Sequence, residues 1–201
     1  MAVSLVKGQK ISLKKDSGGD LTNFCVGANW GAITTTNFLG MKKIEPVDLD
    51  LSAALFDGNR NIIGIVFFGN KSATGIVHSG NDLVGDTDGD DGLDNEIISI
   101  DLSRVDSRVE HIIFVLNSYN KVRFDDIPFA SIRLYEGTPS VVRNIFATYN
   151  IANDSTFRNR IAMVLGKLYK RNNEWKFSAI GEPTNDRNLE ELVIHSCAKF
   201  V

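Results

Sequence analysis

The sequence predicts an all-β fold, a two-sheet β-sandwich with a short C-terminal helix. Period-2 alternation of apolar and polar residues recurs along the chain far more often than period 3.6. Ten short apolar runs are punctuated by Gly, Asn and Asp turn residues, and only the C-terminal end has helical spacing. With 201 residues, 43% hydrophobic and 23% charged, the chain has the length and apolar content for one well-buried domain over residues 1–201. No composition shift marks a second.

From the N-terminus, Met1 to Lys15 alternates and carries early lysines, without the apolar stretch of about 7 to 15 residues that a secretion signal needs. The first strands expected are Lys10 to Leu13 and Phe24 to Ala28. Thr34 to Pro46 is mixed, contains Gly40, Met41, Lys42 and Lys43, and reads as a surface loop. Strands follow at Val47 to Phe56 and Ile62 to Phe67, joined through Asp57-Gly58-Asn59, residues suited to a tight hairpin. Ile97 to Ile100, His111 to Asn117, Ser131 to Tyr135 and Val142 to Tyr149 continue the alternation. Arg160 to Tyr169 and Glu174 to Ile180 form a last hairpin across Arg171-Asn172-Asn173. Beyond Asp186, the candidate N-cap, Leu189, Leu192, Val193 and Cys197 fall at i, i+3, i+4 and i+8, one apolar helix face that packs on the sandwich.

Charge and length exclude several functions. A net charge of −3, with no Lys/Arg block and no aromatic-basic stripe, argues against nucleic acid as a partner. The longest apolar run, Ile62 to Phe68, is broken by Gly64 and is far short of the about 20 residues a membrane helix requires, so no direct membrane insertion is expected. Together with the missing secretion signal, this points to a cytoplasmic protein. Cys25 and Cys197 lie far apart without a CxxC partner, as packed, reduced thiols would. Trp30 and Trp175 read as sandwich core. Asn70-Lys71-Ser72 and Asn153-Asp154-Ser155 match the glycosylation acceptor pattern, and without a secretion signal they are expected to be chance matches.

Chemistry concentrates in Gly80 to Glu96, GNDLVGDTDGDDGLDNE. Its seventeen residues hold seven acids, Asp82, Asp86, Asp88, Asp90, Asp91, Asp94 and Glu96, and no Lys or Arg. Two carboxylates about 5 Å apart repel by about 3 kcal/mol at an effective dielectric near 20, so ordering several of them calls for an external cation. Hard oxygen donors without a His or Cys cluster favour calcium, and magnesium fits less well because it demands near-octahedral geometry. The EF-hand pattern fails. With Asp86 at position 1, the turn glycine of position 6 is Asp91 and the bidentate Glu of position 12 is Ile97. Gly75 to His78 and Ile97 to Ile100 flank the loop as strand ends. Upstream, Val47-Asp48-Leu49-Asp50-Leu51-Ser52 puts Asp48, Asp50 and Ser52 on one strand side, either to complete the loop's site or as a solvent-facing edge.

Two of these segments resemble the tellurium-resistance, TerD-like family. Asp48 to Ala53 is similar to its DLDxSA element, and His78 to Glu96 to its H-x-G-D-N-L-T-G-x-x-D-G-D-D-E loop. Val3-Ser4-Leu5, Val26-Gly27 to Trp30, Ile100 to Ser103, Gly166 to Tyr169 and Glu174 to Phe177 extend the likeness over nearly the whole chain. The resemblance implies a bacterial, calcium-binding β-sandwich, usually with two ions, that serves resistance to tellurite and other stresses. It implies metal ligands at Asp50, Asp82, Asp86, Asp88, Asp90, Asp91 and Glu96, with Asp48, Asn81 and Asp94 as secondary candidates.

Three departures bear on that set. Gly80-Asn81-Asp82 swaps the family's acid and amide, leaving Asn81 or Asp82 as the ligand. The extra Gly92-Leu93-Asp94-Asn95 leaves Asp94 or Glu96. Gly31 stands after Trp30 where the family often has Asp.

Seven loop acids plus Asp50 exceed what one calcium needs, which favours two ions. The expected function is a binding or scaffolding module docking other stress-family proteins or a membrane-associated complex. The alternatives are a metal-dependent hydrolase, with His78 as a base beside a metal-activated water, and a sandwich whose calcium only locks a loop. No nucleophile elbow, phosphate loop or HExxH is present.

Overall fold

Fifteen strands and one helix form in the computed structural model, which describes residues 3–4, 9–14, 18–152 and 154–201. Met1, Leu5, Lys15 and Asn153, named above, lie outside the described residues. In chain order the strands are β1 (Val3–Ser4), β2 (Lys10–Ser12), β3 (Asn23–Trp30), β4 (Ile33–Thr36), β5 (Lys42–Glu45), β6 (Leu49–Phe56), β7 (Ile62–Val66) and β8 (Ser72–Ala73). There follow β9 (Ile76–His78), β10 (Glu96–Asp101), β11 (His111–Ser118), β12 (Ala130–Thr138), β13 (Val141–Asn150), β14 (Ala162–Arg171), β15 (Glu174–Thr184) and the helix α1 (Leu189–Phe200). One sheet runs β1-β13-β12-β3-β10-β9-β8 and the other β2-β15-β14-β11-β6-β7, with β4-β5 as a separate ribbon. β1 joins β13 in parallel, and the pairs that build the centres of both sheets are antiparallel.

The central strands read as continuous apolar runs because both their faces are covered. In β11, Ile112, Phe114 and Leu116 point into the core between the sheets, while Ile113 and Val115 lie under α1. The helix buries Leu192 and Val193 on that outer face, with Leu189 and Cys197 packed beside them, as the spacing predicts. Its cap is Asn188, not Asp186. The Asn188 side chain accepts from Glu191 N–H at 2.9 Å and the Glu191 carboxylate accepts from Arg187 N–H at 2.7 Å. Such reciprocal satisfaction of first-turn amides is unavailable two residues upstream, where Asp186 instead meets His195 Nδ1 at 3.0 Å.

Both hairpins form where the turn residues place them. Asn172 and Asn173 have φ of 54° and 60°, the left-handed pair that a two-residue turn needs. In the β6–β7 turn, Asp57 Oδ1 accepts from Asn59 and Asn61 N–H at 2.8 Å each. Thr34 to Pro46 departs from the expected loop, because β4 and β5 pair from Ile33 with Glu45 to Thr36 with Lys42. Nearly all of both strands is solvent-exposed, so no alternation between a buried and an open face marks them in the sequence. Cys25 and Cys197 are free thiols, the first buried. Trp30 is fully buried, whereas Trp175 is only half-buried at the core's edge, with Lys170 Nζ 5.0 Å from its ring centroid.

One irregularity positions the site. β7 pairs with β6 only from Ala53 to Phe56, which leaves the Leu49 to Ser52 edge of β6 without a strand partner on that side. The β9 and β10 ends of the other sheet, and the acidic loop between them, close over this edge.

Candidate metal centre

The buried half of the centre lies on the open edge of β6. Glu96, the first residue of β10, is fully buried, and its Oε2 accepts from Leu51 N–H at 2.8 Å. His78 Nε2 lies 3.0 Å from the Leu51 carbonyl, and Gly80 N–H donates to His78 Nδ1 at 3.1 Å. Glu96 and His78 therefore satisfy the amide group that a neighbouring strand would otherwise pair. Beside them, Asp48 and Asp50 are 8% and 4% exposed, which overturns the solvent-facing alternative for this strand side. Asp50 Oδ2 accepts from Asn117 Nδ2 at 3.0 Å, while Asp50 Oδ1, Asp48 Oδ1 and Asn117 Oδ1 are buried without a partner.

Burial, reinforced by the Glu96 and Asp48 carboxylates, pushes Asp50 up to about 7. Asp48 is raised by burial and by Glu96 and Asp82. Unpaired buried carboxylates are costly, and their clustering raises the cost further.

The exposed half belongs to the loop. Carboxylate oxygens of Asp86, Asp90 and Asp91 all lie within 4.8 Å of one another. Burial raises the Asp86 carboxyl, against the hydrogen bond from Asn95. Asn29 Nδ2 donates to Asp90 Oδ1 at 2.8 Å. Asn95 Nδ2 bridges the two halves, reaching Asp82 Oδ2 at 3.1 Å and Asp86 Oδ1 at 3.0 Å. Asp82 Oδ1 also accepts from the Val84 and Gly85 amides at 2.9 Å each, which fixes the loop's first turn. The floor is Trp30, whose indole N–H donates to the Val47 carbonyl at 2.7 Å and whose carbonyl accepts from Asp86 N–H at 3.0 Å.

Of the residues singled out in the sequence, Asp48, Asp50, Asp82 and Glu96 gather at the buried edge, and Asp86, Asp90 and Asp91 in the loop. Asp88 joins neither group; its exposed carboxylate faces Lys42 Nζ at 3.8 Å. Asn81 is exposed at the loop's start. Asp94 is buried and engaged elsewhere: Arg133 Nε donates to its Oδ1 at 2.7 Å and Arg133 Nη2 to the Gly92 carbonyl at 2.7 Å. The loop is therefore not without an internal cation; one arrives from β12. Burial raises the Asp94 carboxyl to about 6, against the pull of Arg133.

Asp94 fits because residue 27 has no side chain, since a Cβ there would stand 2.0 Å from Asp94 Oδ2. Gly27→Ala is expected to expel Asp94 from Arg133 and to destabilise the chain by about 2 kcal/mol or more, read as a lowered melting temperature. An unchanged melt would show that Asp94 has another resting place.

Four contributors escaped the sequence reading: Asn29, Asn95, Asn117 and Arg133. Asn95 lies in the segment read as an insertion, and Asn29, Asn117 and Arg133 are brought in by strand pairing, of which two neutral amides and a single strand Arg give no local sign. The donor set is hard oxygen throughout, with unpartnered oxygens at Asp48, Asp50, Asn117 and Asn29, and it suits a cation of calcium's type.

A family model, the TerD domain, matches residues 1–195. The chain belongs to the TerD family. Its TerD relatives include the stress response protein SCP2 of Bacillus subtilis (strain 168), 31% identical over 96% of this chain and 98% of that protein. The tellurium resistance protein TerZ of Serratia marcescens is 30% identical over 94% of each chain. The tellurium resistance protein TerD of Alcaligenes sp is 34% identical over 90% of each. Among solved structures, a homologue of the telluride resistance protein TerD from Streptomyces coelicolor A3(2) superposes with a TM-score of 0.66 at 15% identity, covering 86% of this chain and 95% of that one. That likeness establishes the sandwich as a TerD fold.

Proposed function

We propose that this TerD-family chain is a calcium-binding stress-response module associated with tellurite resistance, which acts by binding partners and not by catalysis. The observation that carries the reading is the buried trio of unpartnered oxygens, Asp48 Oδ1, Asp50 Oδ1 and Asn117 Oδ1, beside Glu96. Left bare, these groups oppose folding; one divalent cation there converts the cost into stabilisation. The Asp86, Asp90 and Asp91 group offers a second position, and the Asn95 bridge ties the two, so two ions are the expected load. Asp82 and Glu96 would serve the inner ion through the remaining lone pairs of oxygens that also accept hydrogen bonds, Glu96 Oε2 and Oε1 from Leu51 and Asp82 N–H at 2.8 and 3.4 Å and Asp82 Oδ2 from Asn95 Nδ2 at 3.1 Å. The partners proposed are other stress-family proteins or a membrane-associated complex in the cytoplasm.

The hydrolase alternative draws less support. A general base needs a free nitrogen, and both nitrogens of His78 are engaged by backbone groups.

Titration calorimetry on chelator-treated protein tests the reading. Saturable uptake of two calcium ions is expected, with Asp50→Asn and Asp90→Ala each weakening one position by about tenfold or more. Asp88→Ala should bind as the parent does. No heat at millimolar calcium sinks the proposal.

A further inference from the structure

The β4–β5 ribbon supplies no carboxylate to the candidate metal centre. Its paired strands are four residues each, an arm about 13 Å long at the usual rise per strand residue, and beyond Ile33, which packs on the core's edge at the arm's base, every residue of both strands is exposed. A two-stranded ribbon standing in water is marginal unless something packs on it. The tip is nonetheless well formed: Asn37 Oδ1 accepts from Leu39 N–H at 3.0 Å and Met41 N–H at 2.9 Å, and Gly40 takes φ of 78°. This rigid tip presents apolar side chains to solvent, Phe38 at 94% exposure, Leu39 at 65% and Met41 at 58%, with Ile44 at 47% behind them. Lys42 and Lys43 follow the tip directly.

The arm is fastened to the acidic loop. Ala32 N–H donates to the Asp86 carbonyl at 2.8 Å at the arm's base, and Lys42, at its tip end, reaches Asp88 at 3.8 Å. Exposed Leu83 and Leu93 add apolar surface to the loop itself.

We infer that this arm is a calcium-gated docking element for an anionic lipid surface. The order of residues is the one an interface selects. Apolar side chains at the apex enter the headgroup boundary to the about 5 to 10 Å typical of interfacial segments, and the lysines just behind meet headgroup phosphates with their stems lying along the apolar layer. Absence of a spanning segment is no obstacle, since shallow insertion of a tip needs none. Apolar residues shared between a ribbon tip and a second loop suit a broad, soft surface better than one protein pocket.

The gate rests on the calcium reading above. Of the seven loop acids, Asp94 is paired with Arg133 and Glu96 is fully buried; the other five, Asp82, Asp86, Asp88, Asp90 and Asp91, repel anionic headgroups, an outer calcium ion offsets two of those charges, and headgroup oxygens can complete its coordination.

Sedimentation of the full-length chain with phosphatidylglycerol–phosphatidylcholine vesicles tests this, alongside calorimetry of calcium binding without lipid. Expected is vesicle binding in calcium and release in chelator. The double variant Phe38→Ser, Leu39→Ser should lose about tenfold or more in vesicle affinity with calcium uptake unchanged. Because Phe38 is open to solvent, Phe38→Trp keeps the fold and should shift its fluorescence to the blue on vesicles with calcium. Calcium uptake without vesicle binding overturns the docking and leaves the metal reading intact. Vesicle binding that chelator does not weaken overturns the gate. Self-association in light scattering that the double variant abolishes, without vesicle binding, overturns the proposal in favour of a second copy of the chain.

Discussion

The calcium-free protein is expected to melt at progressively lower temperature as pH rises from about 4 to 7, and saturating calcium should remove that slope. Asp50 carries the sign. Its native pKa, about 7, lies above the unfolded value of 3.8, so between them the native state holds a proton that the unfolded chain has already lost. Stability from this group is therefore full below the unfolded value and is lost as pH climbs to the native one. A shift of about three units corresponds to about 4 kcal/mol, and allowing for screening by nearby solvent leaves about 2 to 4. For a chain of this length that is a fall of about 4 to 15 °C. Asp48, raised by burial and by Glu96 and Asp82, acts in the same direction.

Calcium would remove the slope by binding the ionised carboxylates. At a thousandfold excess over its dissociation constant one ion adds about 4 kcal/mol to the folded state. Asp50→Asn separates the two effects, since it should flatten the calcium-free slope, raise the melting temperature at pH 8 and abolish the inner ion's stabilisation. If Asp50→Asn melts with the slope of the parent, the buried acid cluster is not the source of the pH dependence.

How much of this was legible follows from how local each signal is. β11 was plain, because two covered faces leave a run of apolar residues that no loop would carry. The β4–β5 ribbon was not, because strands open on both faces have no apolar side to repeat. In Asp48-Leu49-Asp50-Leu51-Ser52 the alternation assigned the two acids to one side correctly. Their burial depends instead on β7 ending its pairing at Ala53 and on β10 delivering Glu96 to the exposed amide of Leu51, both set by pairing between distant segments. The acid count of the loop was local and was read, yet its division was not. Asp94 stands apart from the loop's other carboxylates because Arg133, thirty-nine residues on, pairs with it across Gly27, and Asp88 faces Lys42 on the neighbouring arm. The likeness to TerD proteins gave the fold and the candidate region at once, but which acids of the altered loop stand together needed the coordinates.

Trp30→Ala is expected to cost about 3 to 5 kcal/mol, among the largest effects of any single substitution here. The side chain is fully buried in the core between the sheets, so its removal leaves a cavity that paired strands cannot collapse to fill. It also removes the indole donor from the Val47 carbonyl, whose own amide nitrogen donates to the Val84 carbonyl at 2.9 Å. Gly85 rests against the ring so closely that a Cβ there would lie 2.6 Å from Trp30 Cδ1. The acidic loop thus stands on the indole, and its loss should weaken calcium binding as well as folding. Trp30→Phe keeps most of the volume and strands only the Val47 carbonyl, at about 1 to 3 kcal/mol. Circular dichroism melts read the first effect, and calorimetry at a temperature where each variant remains folded reads the second. A Trp30→Ala protein that melts early but takes up calcium with the parent's affinity would mean that the loop is held by its own turns, Asp82 over Val84 and Gly85, and that the metal centre forms independently of the core beneath it.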